Sequence, residues 1–384
     1  MSKLCISLPP FAPDYSGAAS AVFDMDGLVV LHDASGCTGN YLGYDEPRWF
    51  DSQKMVYCSG LRHMDAVLGN DAKLVERIQK AAASLNPKFI TVIGSPVPMV
   101  IGTDFKGLAQ EIEETTGIAS IGIDSKGLEY YNRGIYAAVV ETLKKFAPLG
   151  KETKKGSINI LGMTPLDFSI EREEEDFNKL FASSGIEVVS CYCFGLSVEK
   201  LQSSLEAELN VAVSQVGVDI AKYMKKKYGI PYIVAVPIGD GQEALRKVQN
   251  CLEKKEIESC TPNTLEARTL IIGDQIIGNA IREYLQNNLN YGAIDVATPF
   301  EATKEYQWGN DTVVKNEAEM KRLVNNGKYK TIIADPLIRQ LIKDEAVRFY
   351  DFTHVAVSGR VYWDRCRKLL GSDMENWLKT IREE

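Results

Sequence analysis

Two cysteines near the N-terminus have the residue type and the setting that metal binding requires. Cys37 lies in the segment GLVVLHDASGCTGNY and Cys58 in MVYCSGLRHMDAVLGN, and each stands in a glycine-flanked turn. Iron-sulfur clusters bind cysteine thiolates, and a neighbouring glycine lets backbone amides approach the inorganic sulfides. The long gap between the two cysteines matches no compact zinc or ferredoxin pattern. Spacing alone therefore leaves two interpretations open, a shared metal cluster or two buried thiols.

The elements around these cysteines follow from the apolar pattern. The run Leu28 to Leu31 predicts a short buried strand, with His32 opening the loop at its carboxyl end and Cys37 at the loop's tip. Ligands of parallel α/β sheets bind at that end of the strands. Apolar residues recur at helical spacing after Cys58, which predicts that Cys58 lies at a helix N-terminus, where backbone amides favour a thiolate.

Strand and helix patterns alternate along the whole chain. This alternation predicts right-handed crossovers and an α/β fold of three doubly wound, Rossmann-like parallel-sheet domains. Polar segments at 149–157 and 251–263 mark the boundaries, giving a cluster-binding domain at 1–150, a second domain at 151–258 and a third at 259–384 with a C-terminal helix. Strands are expected at about 27–32, 89–94, 119–123, 157–162, 186–192, 208–214, 231–236, 269–273, 293–297, 330–334 and 353–357.

The residues around the cysteines resemble the N-terminal domain of the nitrogenase component 1 family. Its relatives include dark-operative protochlorophyllide reductase, the nitrogenase cofactor-assembly scaffold and the reductive cyclase of coenzyme F430 synthesis. Segment 92–104 also resembles the family in register, except that Pro96 stands where members commonly carry another cysteine ligand. The resemblance covers nearly the whole chain, strongly at 27–104 and more weakly after 260. The matching residues are His32, Gly36, Cys37, Cys58, Asp65, Val67 and Gly69.

Ligand counting sets the expected stoichiometry. A cubane needs about four protein ligands, so Cys37 and Cys58 from each of two protomers would hold one intersubunit [4Fe-4S] cluster. The second protomer is either another copy of this chain or a homologous one. A P-cluster-like [8Fe-7S] group needs about six cysteines per pair, and Pro96 removes the obvious third. Cys5 could restore it, since some relatives recruit a ligand from this region, but a near-terminal cysteine is as easily incidental.

The resemblance also implies a protein partner. The chain contains no G-x-x-x-x-G-K-[ST] sequence, so it has no P-loop of its own for ATP. Electrons would come from an iron protein like the nitrogenase reductase, a dimeric P-loop ATPase that docks over the cluster. The segment 210–231, which resembles the stretch carrying a cysteine ligand of the iron-molybdenum cofactor, contains no cysteine. Dinitrogen reduction is therefore not expected.

The remaining cysteines and histidines have weaker signals. Cys191 and Cys193, two residues apart on a predicted strand, point to the same side; they either line a substrate cavity among the domains or are core residues. His32 is predicted to hydrogen-bond the cluster loop or to be structural. His63 is predicted on the surface and His354 in a strand. No role is assigned to Cys251, Cys260 and Cys366.

Composition excludes several classes of function. The chain has 44 basic and 52 acidic residues and a net charge of -8, which argues against a nucleic-acid partner. No apolar run is long enough to span a bilayer and no signal-peptide pattern opens the chain, so a cytoplasmic protein without membrane attachment is expected. Eight cysteines at irregular spacing indicate thiols and metal rather than disulfides.

Three functions are compatible with the sequence. The first is the catalytic component of a nitrogenase-like reductase, which reduces a tetrapyrrole or a small unsaturated molecule bound between its domains. The second is a non-catalytic scaffold on which a metallocluster or cofactor is assembled and passed on. The third is a metal-free binding protein that retains the fold, with Cys37 and Cys58 as core thiols.

Overall fold

The computed structural model describes residues 5–69, 71–148, 150–254 and 267–381. Within these ranges the strands form three sheets, and all pairings inside the sheets are parallel. Leu28–Leu31, Ile90–Ile93 and Thr269–Ile272 are buried along their whole length. Such apolar runs are typical of parallel strands covered by helices on both faces. The predicted class, three doubly wound α/β sheets, is confirmed.

The first unit carries the cysteine pair. It begins with a fully buried helix of small residues and ends with a long helix that packs against it. Its elements are α1 (Asp14–Val22), β1 (Leu28–Leu31), α2 (Gly36–Asn40), β2 (Val56–Cys58), α3 (His63–Leu68), α4 (Asp71–Leu85), β3 (Ile90–Ile93), α5 (Pro96–Ile101), α6 (Phe105–Thr116), β4 (Ser120–Ile123) and α7 (Tyr131–Phe146).

The second and third units repeat the strand-helix alternation. The second contains β5 (Lys154–Leu161), α8 (Glu173–Ala182), β6 (Glu187–Cys191), α9 (Val198–Ser203), β7 (Ala207–Ala212), α10 (Gln215–Tyr228), β8 (Tyr232–Val234) and α11 (Gln242–Leu252). The third contains β9 (Thr269–Ile272), α12 (Gln275–Leu289), β10 (Ile294–Thr298), β11 (Thr312–Val313), α13 (Glu317–Val324), β12 (Thr331–Ala334), β13 (Arg348–Asp351), α14 (Val355–Ser358) and α15 (Ser372–Thr380).

The strand order gives each sheet a point where the chain reverses its direction of winding. The orders are β2-β1-β3-β4, β6-β5-β7-β8 and β11-β10-β9-β12-β13. The reversals therefore fall between β1 and β3, between β5 and β7, and between β9 and β12. In open parallel sheets, ligands bind in the crevice outside the carboxyl ends of the strands at such a point.

The three units share one apolar core. Buried residues of the central strands, including Leu31, Ile160 and Ile271, belong to a single continuous cluster. In the first unit α1 approaches α7 so closely that a Cβ at Gly17 would lie 2.0 Å from the carbonyl oxygen of Tyr131. Glycine is therefore required there by contact rather than by backbone conformation.

Several local predictions are wrong. The segment 353–357 is not a strand: β13 ends before it, and His354 instead precedes the short helix α14. Its apolar residues are buried on all sides of a helical turn, which produces the same hydrophobic pattern as a covered strand. The sequence also does not predict the short strands β2 and β11, since two or three residues show no periodicity.

The predicted domain boundaries remain predictions. The position 258/259 lies outside the described residues, as do Leu149 and most of the segment 251–263, including Cys260. The described residues show only that the first sheet ends by Ile123, that β5 begins the second at Lys154 and that β9 begins the third at Thr269.

Candidate functional site

Cys37 lies at the carboxyl end of β1, in the first turn of the short helix α2 rather than at the tip of a loop as predicted. The turn is held by Asp33, whose carboxylate accepts hydrogen bonds from the amides of Ser35 (2.9 Å) and Thr38 (3.0 Å). Ser35 has a left-handed backbone with φ of 119°, which reverses the chain ahead of Gly36. The thiol is thereby brought to the edge of the sheet in a defined orientation.

Cys58 is the last residue of β2 and lies beside β1 in register with Leu31. The prediction of a helix N-terminus is wrong, because α3 begins only at His63. In place of a helix dipole, one amide serves the sulfur: Gly60 N–H donates to Cys58 Sγ at 3.3 Å. Gly60 adopts a φ of 66°, which glycine reaches without strain, so the amide can turn back towards the sulfur.

The structure brings the two cysteines together around Asp33. The Cys58 thiol donates to the Asp33 carbonyl oxygen at 3.3 Å, and the Cys37 thiol contacts the Asp33 side chain together with Tyr15 and Ser95. Both sulfurs are half-buried. Burial, reinforced by the charge of Asp33, raises the pKa of Cys37, so the isolated chain keeps this thiol protonated until a positive partner such as a metal replaces the proton.

His32 connects the loops of the site. Its Nδ1 lies 2.9 Å from Ser59 Oγ, next to Cys58, and its carbonyl oxygen accepts from Ser95 Oγ at 2.8 Å. Burial lowers the pKa of His32, which favours the neutral ring. His32 therefore fixes the position of the Cys58 loop relative to the start of α5, while His63 is exposed, as predicted.

The two additional ligand positions considered from the sequence have contrasting environments. Pro96 is the first residue of α5 and packs against Gly127, so this position offers no donor atom. The segment after Cys5 is attached to the third unit, because the amides of residues 6–8 donate to the Glu317 carboxylate. Cys5 as a third ligand remains a prediction.

An exposed apolar surface surrounds the cysteine pair. It comprises Tyr57 beside Cys58 and side chains of α3 and α5, two helices that pack against each other. Four of these side chains are more than 60% exposed, far more than their chemistry favours in an isolated surface. We call this surface the apolar rim; its members are Tyr57, Met64, Val67, Leu68, Val97, Val100 and Ile101.

The donor set suits a cluster completed by a second chain. Two thiols at adjacent strand ends, with an amide directed at one sulfur, are the groups that iron-sulfur clusters require. Within the described residues no group of three or more His, Cys, Asp and Glu side chains is arranged to hold a metal ion. The described part of one chain thus offers two thiols at this edge.

A second polar constellation, which sequence reasoning missed, lies where the three units meet. His354 Nε2 is 2.7 Å from Asp167 Oδ1, and Tyr131 donates its hydroxyl hydrogen to the same oxygen. All three side chains are buried. We call Tyr131, Asp167 and His354 the junction triad; its members come from the first, second and third units, in that order.

Further carboxyl groups surround the junction triad. Asp335 accepts from the His354 amide at 2.9 Å, and Asp274 accepts from the Gln215 amide at 2.9 Å. Burial raises the pKa of Asp274 to about 7. Burial alone would lower the pKa of His354, but the hydrogen bond and charge of Asp167, with the charges of Asp274 and Asp335, raise it above its ordinary value.

Cys191 and Cys193 do not share one side of a strand. β6 ends at Cys191, whose Sγ lies 3.6 Å from Met163 Sδ, whereas Cys193 has a left-handed φ of 77° in the following bend. Both are buried in the core, and the Cys193 carbonyl oxygen accepts from Arg48 at 2.7 Å, which links the first and second units. Burial raises the pKa of Cys191, so it remains a neutral thiol.

The described residues contain no helix that is both long and apolar enough to cross a bilayer. Residues 13–270, more than half of the chain, match the family of nitrogenase component 1 type oxidoreductases. The chain belongs to this family. The resemblance inferred from residues 27–104 is thus confirmed.

Several family members are similar to this chain over much of its length. Nitrogenase iron-molybdenum cofactor biosynthesis protein NifE of Methanosarcina barkeri is 26% identical over 66% of this chain and 58% of its own length. The nitrogenase molybdenum-iron protein alpha chain of Clostridium pasteurianum is 23% identical over 86% of this chain and 68% of its own length. One polypeptide of the light-independent protochlorophyllide reductase of Nostoc punctiforme is 25% identical over 53% of this chain and 42% of its own length. This chain thus spans little more than half of the NifE relative.

The fold is also that of a solved family member. Nitrogenase Cp1, solved at pH 6.5, superposes with a TM-score of 0.70 over 92% of this chain and 87% of its own, at 15% sequence identity. At this identity the superposition establishes a common architecture, while ligands and activity have to be argued from this chain's residues.

Proposed function

We propose that this chain is the catalytic component of a nitrogenase-like reductase, in which Cys37 and Cys58 hold half of an intersubunit iron-sulfur cluster. The observation that carries the proposal is the pair of half-buried thiols beside Asp33, at the end of adjacent strands and within the apolar rim. When bound, such a cluster supplies one-electron transfer at low potential.

The chain's own residues prepare this site. Asp33 fixes both cysteine loops, Gly60 directs an amide at Cys58, and His32 holds the Cys58 loop against the start of α5. The apolar rim excludes water once a second protomer covers it. Two thiols from each of two protomers complete a [4Fe-4S] cluster, and the lack of a donor at Pro96 makes an [8Fe-7S] cluster the less supported alternative.

The partners follow from what the chain lacks. Without a P-loop sequence it cannot couple ATP hydrolysis to electron transfer in the P-loop manner, so an iron protein with that function is the proposed electron donor. The substrate would bind between the units, where the carboxyl ends of the strands converge. A tetrapyrrole or a small unsaturated molecule is proposed; dinitrogen is not, since residues 210–231 contain no cysteine.

A scaffold for cluster or cofactor assembly is the second candidate. It is favoured by the similarity to NifE proteins, whose names describe cofactor biosynthesis, including one from Clostridium pasteurianum at 30% identity over 60% of this chain. The same two cysteines would then hold a cluster that is passed on. Transfer of iron and sulfide to an apo-enzyme would favour this candidate, and substrate turnover with an iron protein would favour the reductase.

The first experiment is anaerobic purification with measurement of iron, acid-labile sulfide and the EPR spectrum after dithionite reduction. About four irons per dimer, absent from the Cys37→Ala, Cys58→Ala double variant, is the expected result. Cys251→Ala, a half-buried thiol on α11, is the matched control and should retain the iron. About eight irons would bring Cys5 into the site. A folded protein that binds no iron after reconstitution would contradict both candidates and support the metal-free binding protein.

A further inference from the structure

We propose that the junction triad is a proton-holding site: His354 carries the proton, and Asp167 and Tyr131 position it at the crevice between the second and third sheets. The inference rests on the proposed function, because a reductase that delivers electrons to an unsaturated bond also needs a proton donor. It assigns this role to residues of this chain.

The location is a meeting point of two ligand-binding edges. Asp167 follows β5, whose carboxyl end lies at the reversal point of the second sheet, and Asp274 follows β9 at the reversal point of the third. The hydrogen bond from the Gln215 amide to Asp274 Oδ2 shows that these two edges face each other. A ligand that bound at either reversal point would therefore lie next to the triad.

His354 has one nitrogen for its partner and one for the crevice. Nε2 pairs with Asp167, while Nδ1 lies beside Gly273, where an added Cβ would be 3.9 Å away. Nδ1 thus faces a cavity of about 10 Å³, lined by residues of β9, α12 and the segment 352–354. A space of this size accepts roughly one water-sized group, such as the reacting end of a ligand.

The charges at the junction favour a proton over other ligands. Asp167, Asp274 and Asp335 face a single imidazole, and Tyr131 and Cys366 add groups that burial keeps neutral. Asp167 Oδ2 is buried and has no hydrogen-bond partner among the described residues. A cation is needed to compensate these carboxyl groups, and the small cavity admits no bulky one.

The proton step balances as follows. Reduction of one double bond takes up two electrons, which the electron donor supplies singly, and two protons. The N–H bond of His354 Nδ1 breaks, a C–H bond forms with the added electron pair, and the neutral imidazole is protonated again from solvent. Solvent also supplies the second proton. Asp167 acts as a positioning residue, since it stabilises the imidazolium and fixes its orientation.

The test uses the fact that the chain has only three histidines. NMR titration of protein labelled with ¹⁵N-histidine gives three resonances, and His354→Gln assigns the relevant one. We expect His354 to titrate above the ordinary value of about 6.5, and Asp167→Asn to lower its pKa by at least about one unit. The exposed Asp344→Asn is the matched control and should leave the pKa unchanged.

A His354 that titrates at or below the ordinary value overturns the proposal, and the wild-type titration alone decides this if Asp167→Asn fails to fold. A pKa that does not respond in a folded Asp167→Asn variant also overturns it.

A second measurement separates this inference from the proposed function. The cluster-loaded dimer is supplied with europium(II) and acetylene, and ethylene formation is followed against pH. His354→Gln should slow it at least ten-fold while the EPR signal stays unchanged. An unchanged rate overturns the proton site. A wild-type protein with an intact cluster that forms no ethylene speaks against the reductase, and the titration then decides the proton site by itself.

Discussion

The cysteine edge of the first unit and the junction triad differ in what they leave exposed. Around Cys37 and Cys58 the chain shows large apolar side chains, with Val100 77% exposed, and keeps its thiols half-buried. At the junction Tyr131, Asp167 and His354 are enclosed, and the apolar core continues around them. The first region is an incomplete site that needs another chain, whereas the second is complete within one chain.

This contrast separates two kinds of requirement. An exposed apolar surface costs little in the isolated chain's folding but favours association, since burial of such side chains is what stabilises an interface. Buried carboxyl groups, by contrast, oppose folding unless they are hydrogen-bonded or protonated. The cysteine edge should therefore respond to changes in assembly, and the junction to changes in pH.

The largest effect is expected from Asp274→Asn at the junction. Burial raises the pKa of Asp274 to about 7, against roughly 3.9 in an unfolded chain. Between these values the folded state holds a proton that the unfolded state has lost, so the free energy of unfolding falls as pH rises from about 4 to 7. Asparagine still caps α12 but cannot ionise, so the variant should be more stable at pH 8 by ~2–4 kcal/mol.

Denaturant unfolding at several pH values measures this effect. Asp104→Asn is the matched control, because Asp104 also caps a helix, α6, but is exposed. If both variants showed the same pH dependence, the junction would not be the source of the acid-linked stability.

The next largest effect concerns assembly at the apolar rim. Val100→Asp places a charge in a surface that association would bury, so the dissociation constant of the dimer should rise at least about 100-fold, or ~2.7 kcal/mol. Sedimentation equilibrium measures this constant. Leu128→Asp, at a side chain that is 61% exposed but outside the rim, should leave it unchanged. Equal weakening by both variants would remove the rim from the interface.

A smaller effect is expected from Tyr131→Phe. Loss of the hydroxyl takes one hydrogen bond from the Asp167 carboxylate inside the junction, which should lower the free energy of unfolding by ~1–2 kcal/mol. Tyr57→Phe removes a hydroxyl from a side chain that is 46% exposed and should change the stability by less than about 0.5 kcal/mol. Urea unfolding of the two variants side by side tests the difference; equal losses would contradict it.

The smallest effect is expected at the loop that carries Cys58. Arg77 donates to the carbonyl oxygens of Ser59 (2.7 Å) and Gly60 (3.3 Å). Arg77→Met should cost under ~1 kcal/mol, because the interaction is partly solvated, yet it should lower the iron retained after dialysis. Lys80→Met on the same helix, with its side chain 73% exposed, is the control for both measurements. Full iron retention in Arg77→Met would show that the loop needs no such support.

The sequence predicts the central strands and the cysteine edge well, because their signals are local. Leu28–Leu31 and Thr269–Ile272 are continuous apolar runs, and Cys37 follows the first of them directly. The prediction of a helix N-terminus at Cys58 is wrong because the apolar period of α3 does not reveal that the helix starts only at His63.

The junction triad has no local signal at all. Tyr131 and Asp167 are 36 residues apart in sequence, and Asp167 and His354 are 187 apart. Each follows an ordinary strand or opens an ordinary helix, and only the packing of three sheets brings them together. The sequence pattern around His354 indicates a strand, since alternating burial in a short enclosed helix gives the same residue types.

The helix α1 connects the two regions mechanically. Tyr15 contacts the Cys37 thiol, and two residues further along the same helix Gly17 touches the backbone of Tyr131 in the junction triad. Because the gap at Gly17 leaves no room for even a methyl group, α1 cannot slide along α7 without moving Tyr131. A displacement at the cysteine edge therefore reaches the buried histidine through less than one turn of rigid helix, which makes α1 a strut between the place where electrons would arrive and the place where a proton would wait.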